Sequence, residues 1–450
     1  MAPGILERVR MENNIDFASI INARMIVFNM RCSSEGGLSL VKTIADRIKA
    51  QESRKRKRKQ SDQRSFLMCV EAVTAFILRS AAAPLSPWCY RSLHRQGFSD
   101  SEVGADTFIK VIKSMEALGL VTTHRGGNQA HPIHHPGGVS RAYNPGLASR
   151  FKASDRLIDL AGEHGVVLEE VGAHFHTLKP TKVIICRPTT KKDGRFRKRS
   201  RSISFEHNHQ TKYLEGKVLA INDYLYEQEL GGGLFTGYQR IFNEGDHPAF
   251  NWNRGGRLYC VGDDNYQLMK KADRLKMTIN GDRVAEIDIN ASYLTILLSQ
   301  LGATIRKTGD IYNIKGLPRQ VVKAWITATL GSEGFHHRWP VGLNAALRKE
   351  GIDTSKKLSM RAVEERVLKA IPALEHWPTC GLSCSQLMYM ESTQVQVAME
   401  KLRENHDIPC YSVHDSLIIR RKDVITAKAE LKDAYRVRFG TECRLSVSRD

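Results

Sequence analysis

Acidic residues are what this chain is short of. It has 48 Asp and Glu against 68 Lys and Arg in 450 residues, a formal charge of +20 and a pI near 9.6. An excess of that size points to a polyanionic partner. No apolar run reaches the roughly 18 residues of a transmembrane helix, and no basic amphipathic anchor stands out, so no membrane partner is expected. Glu7, Arg8, Arg10 and Glu12 stand where a signal peptide would be apolar. The nine cysteines are scattered, which fits reduced thiols and a cytoplasmic location. There is no Gly-x-x-x-x-Gly-Lys-Ser/Thr loop, which excludes a P-loop helicase or ATPase. No acidic exonuclease series precedes residue 251, and there is no internal repeat. Cys380 and Cys384 lack a matching pair, and His124, His131, His134 and His135 lack cysteine companions, so no zinc site is expected. Phe205-Glu-His-Asn-His209 lacks the surroundings of a nuclease.

What is present is enough apolar residue, 41%, for a globular chain of two to four domains. We read residues 1–64 as a helical or mixed segment ending in a basic arm. That arm is the block Arg54-Lys-Arg-Lys-Arg-Lys59, expected to be solvated and self-repelling, with Arg54, Lys55 and Arg56 available to phosphates. In 65–165, Ser65–Ala82 has a helical pattern. Phe108, Val111, Ile112, Met115 and Leu118 form one apolar stripe of a helix over Ala105–Leu118. Lys110 and Lys113 lie off that stripe, and Gly119 ends the helix. Leu120-Val-Thr-Thr predicts a strand running into Arg125 and a glycine turn, with a second strand after Pro136-Gly-Gly that includes Arg141. Helix, helix, strand, turn, strand is the order of a winged helix-turn-helix, whose second helix enters a major groove. Residues 166–250 read as a β-rich connector with an exposed loop over Lys191–Arg201 and a thumb-like helix over Lys217–Leu230. Residues 251–450 carry the chemistry.

Two apolar runs flank Asp415 in Tyr411-Ser-Val-His-Asp-Ser-Leu-Ile-Ile419, and this predicts a hairpin with one carboxylate at its tip. A second carboxylate, Asp288, ends the strand Val284-Ala-Glu-Ile-Asp, which follows an Asn280-Gly turn. On adjacent strands the two could hold a pair of metal ions about 3.5–4 Å apart, the arrangement that clamps the attacking and leaving oxygens in phosphoryl transfer. Between them lies a helix beginning near Pro318. Arg319, Lys323 and Thr327 share one of its faces, opposite Val322, Trp325, Ile326 and Thr329. Two cations in line on a rigid helix suit a triphosphate. Gly255-Gly-Arg257 is a glycine turn entering a strand, with Arg257 in reach of phosphate. Glu391–Leu402 is an amphipathic helix leading into the hairpin.

These segments resemble motifs A, B and C of palm-type nucleic-acid polymerases, most closely family A and the single-subunit phage RNA polymerases. Val413-His-Asp-Ser416 is similar to motif C, Glu286-Ile-Asp288 to motif A, and Arg319 with Lys323 to the Arg-x-x-x-Lys of motif B. The resemblance covers roughly 251–450. It implies an α+β chain: a winged-helix-like region followed by a right-hand polymerase with an antiparallel palm sheet, the helical fingers inserted at about 305–385. By the same resemblance, Asp288 and Asp415 ligate two Mg²⁺ ions, or Mn²⁺, Arg319 and Lys323 hold the incoming deoxynucleoside triphosphate, and His414 packs against the primer end. The aromatic residue that stacks on the incoming base has no clean match, which leaves Leu330, Trp325 or Thr327. Tyr293, five residues after Asp288, matches the bulky side chain that excludes a ribose 2′-hydroxyl in the DNA enzymes. The layout is similar to replication polymerases of plasmids and other mobile elements or phages, with a DNA primer-template and an accessory replication protein as partners. Two other readings stay open: an RNA polymerase or primase, and a non-enzymatic DNA-binding replication initiator or regulator.

Overall fold

The structure, a computed structural model, describes residues 20, 23–53, 56–83, 86–98, 101, 103–126, 130–135, 138–143, 148–193, 196–198, 202–262, 265–303, 309–332, 334–354 and 358–450. Arg54 and Lys55 lie outside them. The chain is mixed α and β and divides into two units, Met1–Thr181 with Val261–Asp264, and Lys182–Cys260 with Asn265–Asp450.

In the first unit β1 (Arg24–Met25), β3 (Cys89–Arg91), β7 (Ser149–Ala153) and β4 (Val121–His124) form one sheet in that order. A separate pair joins β2 (Met30–Cys32) to β8 (Phe175–Thr177). The helices are α1 (Glu35–Gln51), α2 (Gln60–Ala81), α3 (Ala105–Ala117), α4 (Asp155–Glu163) and the single turn α5 (Val171–His174). The apolar stripe expected on α3 is inside, with Phe108, Val111, Ile112 and Met115 buried and Lys110 and Lys113 exposed. Phe108 anchors an aromatic cluster with Phe28, Phe98 and Phe151. Gly119 follows the helix at φ 70°, where a side chain would be strained. Between β4 and β7 the chain makes a hairpin of β5 (Ala130–His135) and β6 (Gly138–Tyr143), which carries Arg141.

Residues 86–98 contain a sheet strand, β3, and a short 3₁₀ turn, Arg95–Phe98, because buried Trp88 and Cys89 pull the backbone into pairing with β7. The basic block is not a free arm throughout. Arg58 pairs with Glu52 and stacks on Phe66 at 3.9 Å, and Lys59 is the N-cap of α2, whereas Arg56 is exposed.

The second unit contains β9 (Ile184–Cys186), β13 (Tyr238–Phe242) and β14 (Gly255–Cys260) in one mixed sheet. Its larger sheet is antiparallel, in the order β12 (Leu230–Gly231), β15 (Thr278–Ile279), β16 (Asp282–Asn290), β18 (Ser416–Arg420), β17 (Cys410–Val413), with β19 (Arg444–Ser448) also paired to β16. The expected loop over Lys191–Arg201 contains a small hairpin, β10 (Lys191–Asp193) with β11 (Phe196–Lys198). The helix expected over Lys217–Leu230 is α6, His209–Tyr226. It starts early because Asn208 and Thr211 form a reciprocal capping box. That same Asn208, with His207 held 3.2 Å from Glu215, gives the His-Asn-His stretch a structural part.

The remaining helices are the single turn α7 (Lys271–Arg274), then α8 (Ser292–Gln300), α9 (Arg319–Leu330), α10 (Val341–Lys349), α11 (Met360–Ala370), α12 (Cys384–His406) and α13 (Val424–Phe439). Pro318 stands at the N-cap of α9 and not inside it. Residues of α8, α9, α12 and α13 join the strands of the large sheet in one apolar core. No helix among the described residues is long and apolar enough to cross a membrane.

Candidate active site

Strand pairing brings the two aspartates together. Asn280 and Gly281, at φ 50° and 78°, turn β15 into β16, the signature of a tight two-residue hairpin. β16 then pairs with β18 so that Asp288 lies opposite Ser416, the residue after Asp415. The Ile289 N–H donates to the Asp415 carbonyl at 3.3 Å. His414 and Asp415 are the two loop residues between β17 and β18, since Val413 pairs with Ser416. Non-glycine residues at positive φ flank both carboxylates: Ala291 at 53° and His414 at 58°, a conformation that costs energy and is held only where the surroundings demand it.

The hairpin is braced from behind. Ser412, on the outer strand, donates its N–H to the Tyr238 hydroxyl at 2.9 Å, and its carbonyl accepts from Tyr266 at 2.5 Å and Gln267 at 2.9 Å. Tyr238 and Tyr266 are fully buried and hydrogen-bonded to each other. An edge strand's outward backbone groups are thereby satisfied, and the loop bearing Asp415 is held on a rigid support.

The two carboxylates differ in their surroundings. Asp288 Oδ1 accepts from the Ser416 hydroxyl at 2.6 Å and Oδ2 from Lys271 Nζ at 2.5 Å. The carboxylate of Asp415 has no hydrogen bond or ion pair among the described residues. Its charge acts on three neighbours: burial raises Tyr312 to about 12, with Asp415 contributing, and Asp415 adds to the burial that lifts Glu391 and Tyr293. Two hard oxygen donors of this kind suit Mg²⁺ or Mn²⁺, which take one or two carboxylates and complete their shells with water and phosphate oxygens. Among the described residues no group of three or more His, Cys, Asp or Glu gathers as a metal site.

On α9, Arg319, Lys323 and Thr327 are exposed along one stripe while Val322, Trp325, Ile326 and Thr329 are buried. Arg319 is engaged with Asp310 and lies 5.4 Å from the Tyr312 ring. Lys323 has no ion pair among the described residues. Trp325 is fully buried, stacked 6.0 Å from Phe335, and Leu330 is buried too. Both are thereby corrected as candidates to stack on a base, because the core claims the face they lie on; Thr327 alone of the three is exposed.

Arg257 does not project freely. Its guanidinium donates to Glu391 at 2.5 Å and to the Tyr293 hydroxyl at 3.4 Å. Glu391 is 1% exposed, and burial pushes its carboxyl up to about 7 despite Arg257. His414 is exposed at the loop, its ring 5.7 Å from Tyr259.

The sequence reading missed Lys271 and Arg274. Lys271 and Arg274 lie on α7, well before Asp288, and no pattern marks them. Glu391, in the amphipathic stretch where a core-side structural role is the expectation, is buried and pairs with the distant Arg257. In the first unit Arg125 is exposed like Lys110 and Lys113.

No family model matches the chain, and no curated protein matches it. Among solved structures it is similar to the POL domain of Pol1 from M. smegmatis in complex with DNA primer-template and dNTP. The TM-score is 0.30 at 11% identity, over 93% of this chain and 66% of that one. The chain thus spans just under two thirds of that structure's length.

Proposed function

We propose that this chain is a template-directed nucleotidyltransferase, and specifically a DNA polymerase serving a mobile element, plasmid or phage. The observation that carries the reading is the β16–β18 register, which brings Asp288 and Asp415 together from distant sequence on a braced sheet. A primer 3′-hydroxyl attacks the α-phosphate of a deoxynucleoside triphosphate in line, and pyrophosphate leaves. Two Mg²⁺ ions, or Mn²⁺, held by Asp288 and Asp415 would stabilise charge on the attacking and leaving oxygens. Lys323 and Arg319 neutralise the triphosphate, with Arg319 exchanging Asp310 for it, and Thr327 extends that face. His414 packs against the primer end, Tyr293 excludes a ribose 2′-hydroxyl, and Arg257, expected to meet phosphate, instead braces Tyr293 through its pairing with Glu391.

In the first unit the order α2, β3, 3₁₀ turn, α3, β4, hairpin, β7, with β3 and β4 both paired to β7, supports a winged helix. There Lys110, Lys113, Arg125 and Arg141 grip duplex phosphates, joined by Arg56 of the basic block, with Arg54 and Lys55 before it in sequence.

Primer extension with Mg²⁺ on a primed DNA template tests the reading. Wild type extends the primer with deoxynucleotides, and Asp415→Ala does not, while its DNA affinity is retained. Extension only with ribonucleotides favours the RNA polymerase or primase reading. Absence of synthesis by wild type on every primed template leaves a DNA-binding initiator or regulator.

A further inference from the structure

The charge balance around Asp288 supports one more inference, which rests on the reading of Asp288 as a metal ligand. Glu286 and Asp288 are two apart on β16 and project to the same face. Glu286, 2% exposed, is already satisfied, because Arg274 donates to its two oxygens at 3.0 Å each. Lys271 therefore belongs to Asp288: its ammonium is 2.5 Å from Asp288 Oδ2 but 3.6 Å from Glu286. The lone pairs that the ammonium takes are those a hard divalent cation needs, and an ammonium and a dication repel each other at that range. The Lys271 side chain is 40% exposed against 10% for Arg274, so it alone of the two has open solvent to move into.

We propose that Lys271 is a tethered competitor of the metal ion. It compensates Asp288 in the metal-free protein, is displaced when the ion enters, and so sets the affinity of the site. It is a positioning residue that acts through Asp288, and Arg274 stays in place to keep Glu286 neutralised during the exchange.

The test is binding of Mn²⁺ alone to the full chain, without nucleotide or DNA, followed by electron paramagnetic resonance and calorimetry. Lys271→Met should bind Mn²⁺ about threefold more tightly or better, the order expected for removing a half-exposed ion pair. Lys271→Arg should stay near wild type. Metal-free Lys271→Met should melt lower than wild type yet gain more from added Mn²⁺. A purely structural lysine would weaken metal binding when lost, so unchanged or weaker Mn²⁺ affinity in folded Lys271→Met overturns the proposal. Failure of the underlying reading looks different: wild type would show no saturable Mn²⁺ binding, or binding that survives Asp288→Asn.

Discussion

Tyr293 and Glu391 show how much one side chain's surroundings decide. Tyr293 is fixed from one side by Arg257, which is itself fixed by Glu391, so the proposed sugar gate has a rigid support. Tyr293→Ala should lower discrimination between deoxy- and ribonucleotides by at least about tenfold, on the scale at which pockets sort substrates by a hydroxyl, read as the ratio of kcat/KM values. Unchanged discrimination would remove Tyr293 from that role. Glu391 makes a prediction about pH. Its carboxyl is raised from 4.5 to about 7 in the fold by burial, partly offset by Arg257 and reinforced by Asp415. The native state therefore binds this proton more tightly than the unfolded chain. The stabilisation is complete below about 4.5 and is lost as pH rises through about 7. Melting temperature measured from about pH 5 to about pH 8 should fall more in wild type than in Glu391→Gln; parallel curves would contradict the raised carboxyl.

At the scale of the element, local patterns and long-range pairing divide the work. The α9 stripe was legible because an amphipathic helix repeats every 3.6 residues, and the core simply takes its apolar side. The β17–β18 hairpin was legible because two apolar runs meet at a two-residue loop. The β15–β16 turn is legible for the same reason and makes a clean test. Gly281 sits at φ 78° with nothing within 4 Å of where a Cβ would be. Gly281→Ala should thus cost backbone strain alone, about 1 kcal/mol, measured by urea denaturation. A neutral substitution would mean the turn relaxes and does not set the β16 register. The strand β3 and the early start of α6 were not legible. The first is too short to show a period, and the second depends on a reciprocal cap between Asn208 and Thr211.

For the whole molecule, the +20 charge is a statement about partners, and its distribution is a statement about where they bind. In the first unit the exposed cations of α3 stand apart from its buried stripe. Lys110→Glu with Lys113→Glu should weaken duplex binding and reduce the slope of log affinity against log salt by about two, followed by fluorescence anisotropy. Extension of a primer already bound at saturating DNA should be spared. An unchanged salt slope would take α3 out of the interface. The sequence by itself determined the places of the two aspartates in strand and turn, the cationic stripe and the apolar faces, because hydrophobic periodicity and turn chemistry act over a few residues. Only the tertiary structure decided that Asp288 faces Ser416 and Lys271 while the Asp415 carboxylate has no hydrogen bond or ion pair among the described residues, and that Arg257 is spent on Glu391. Those are contacts between residues 17 to 134 positions apart, set by which strands and helices become neighbours, and no local pattern encodes the partner of a charge.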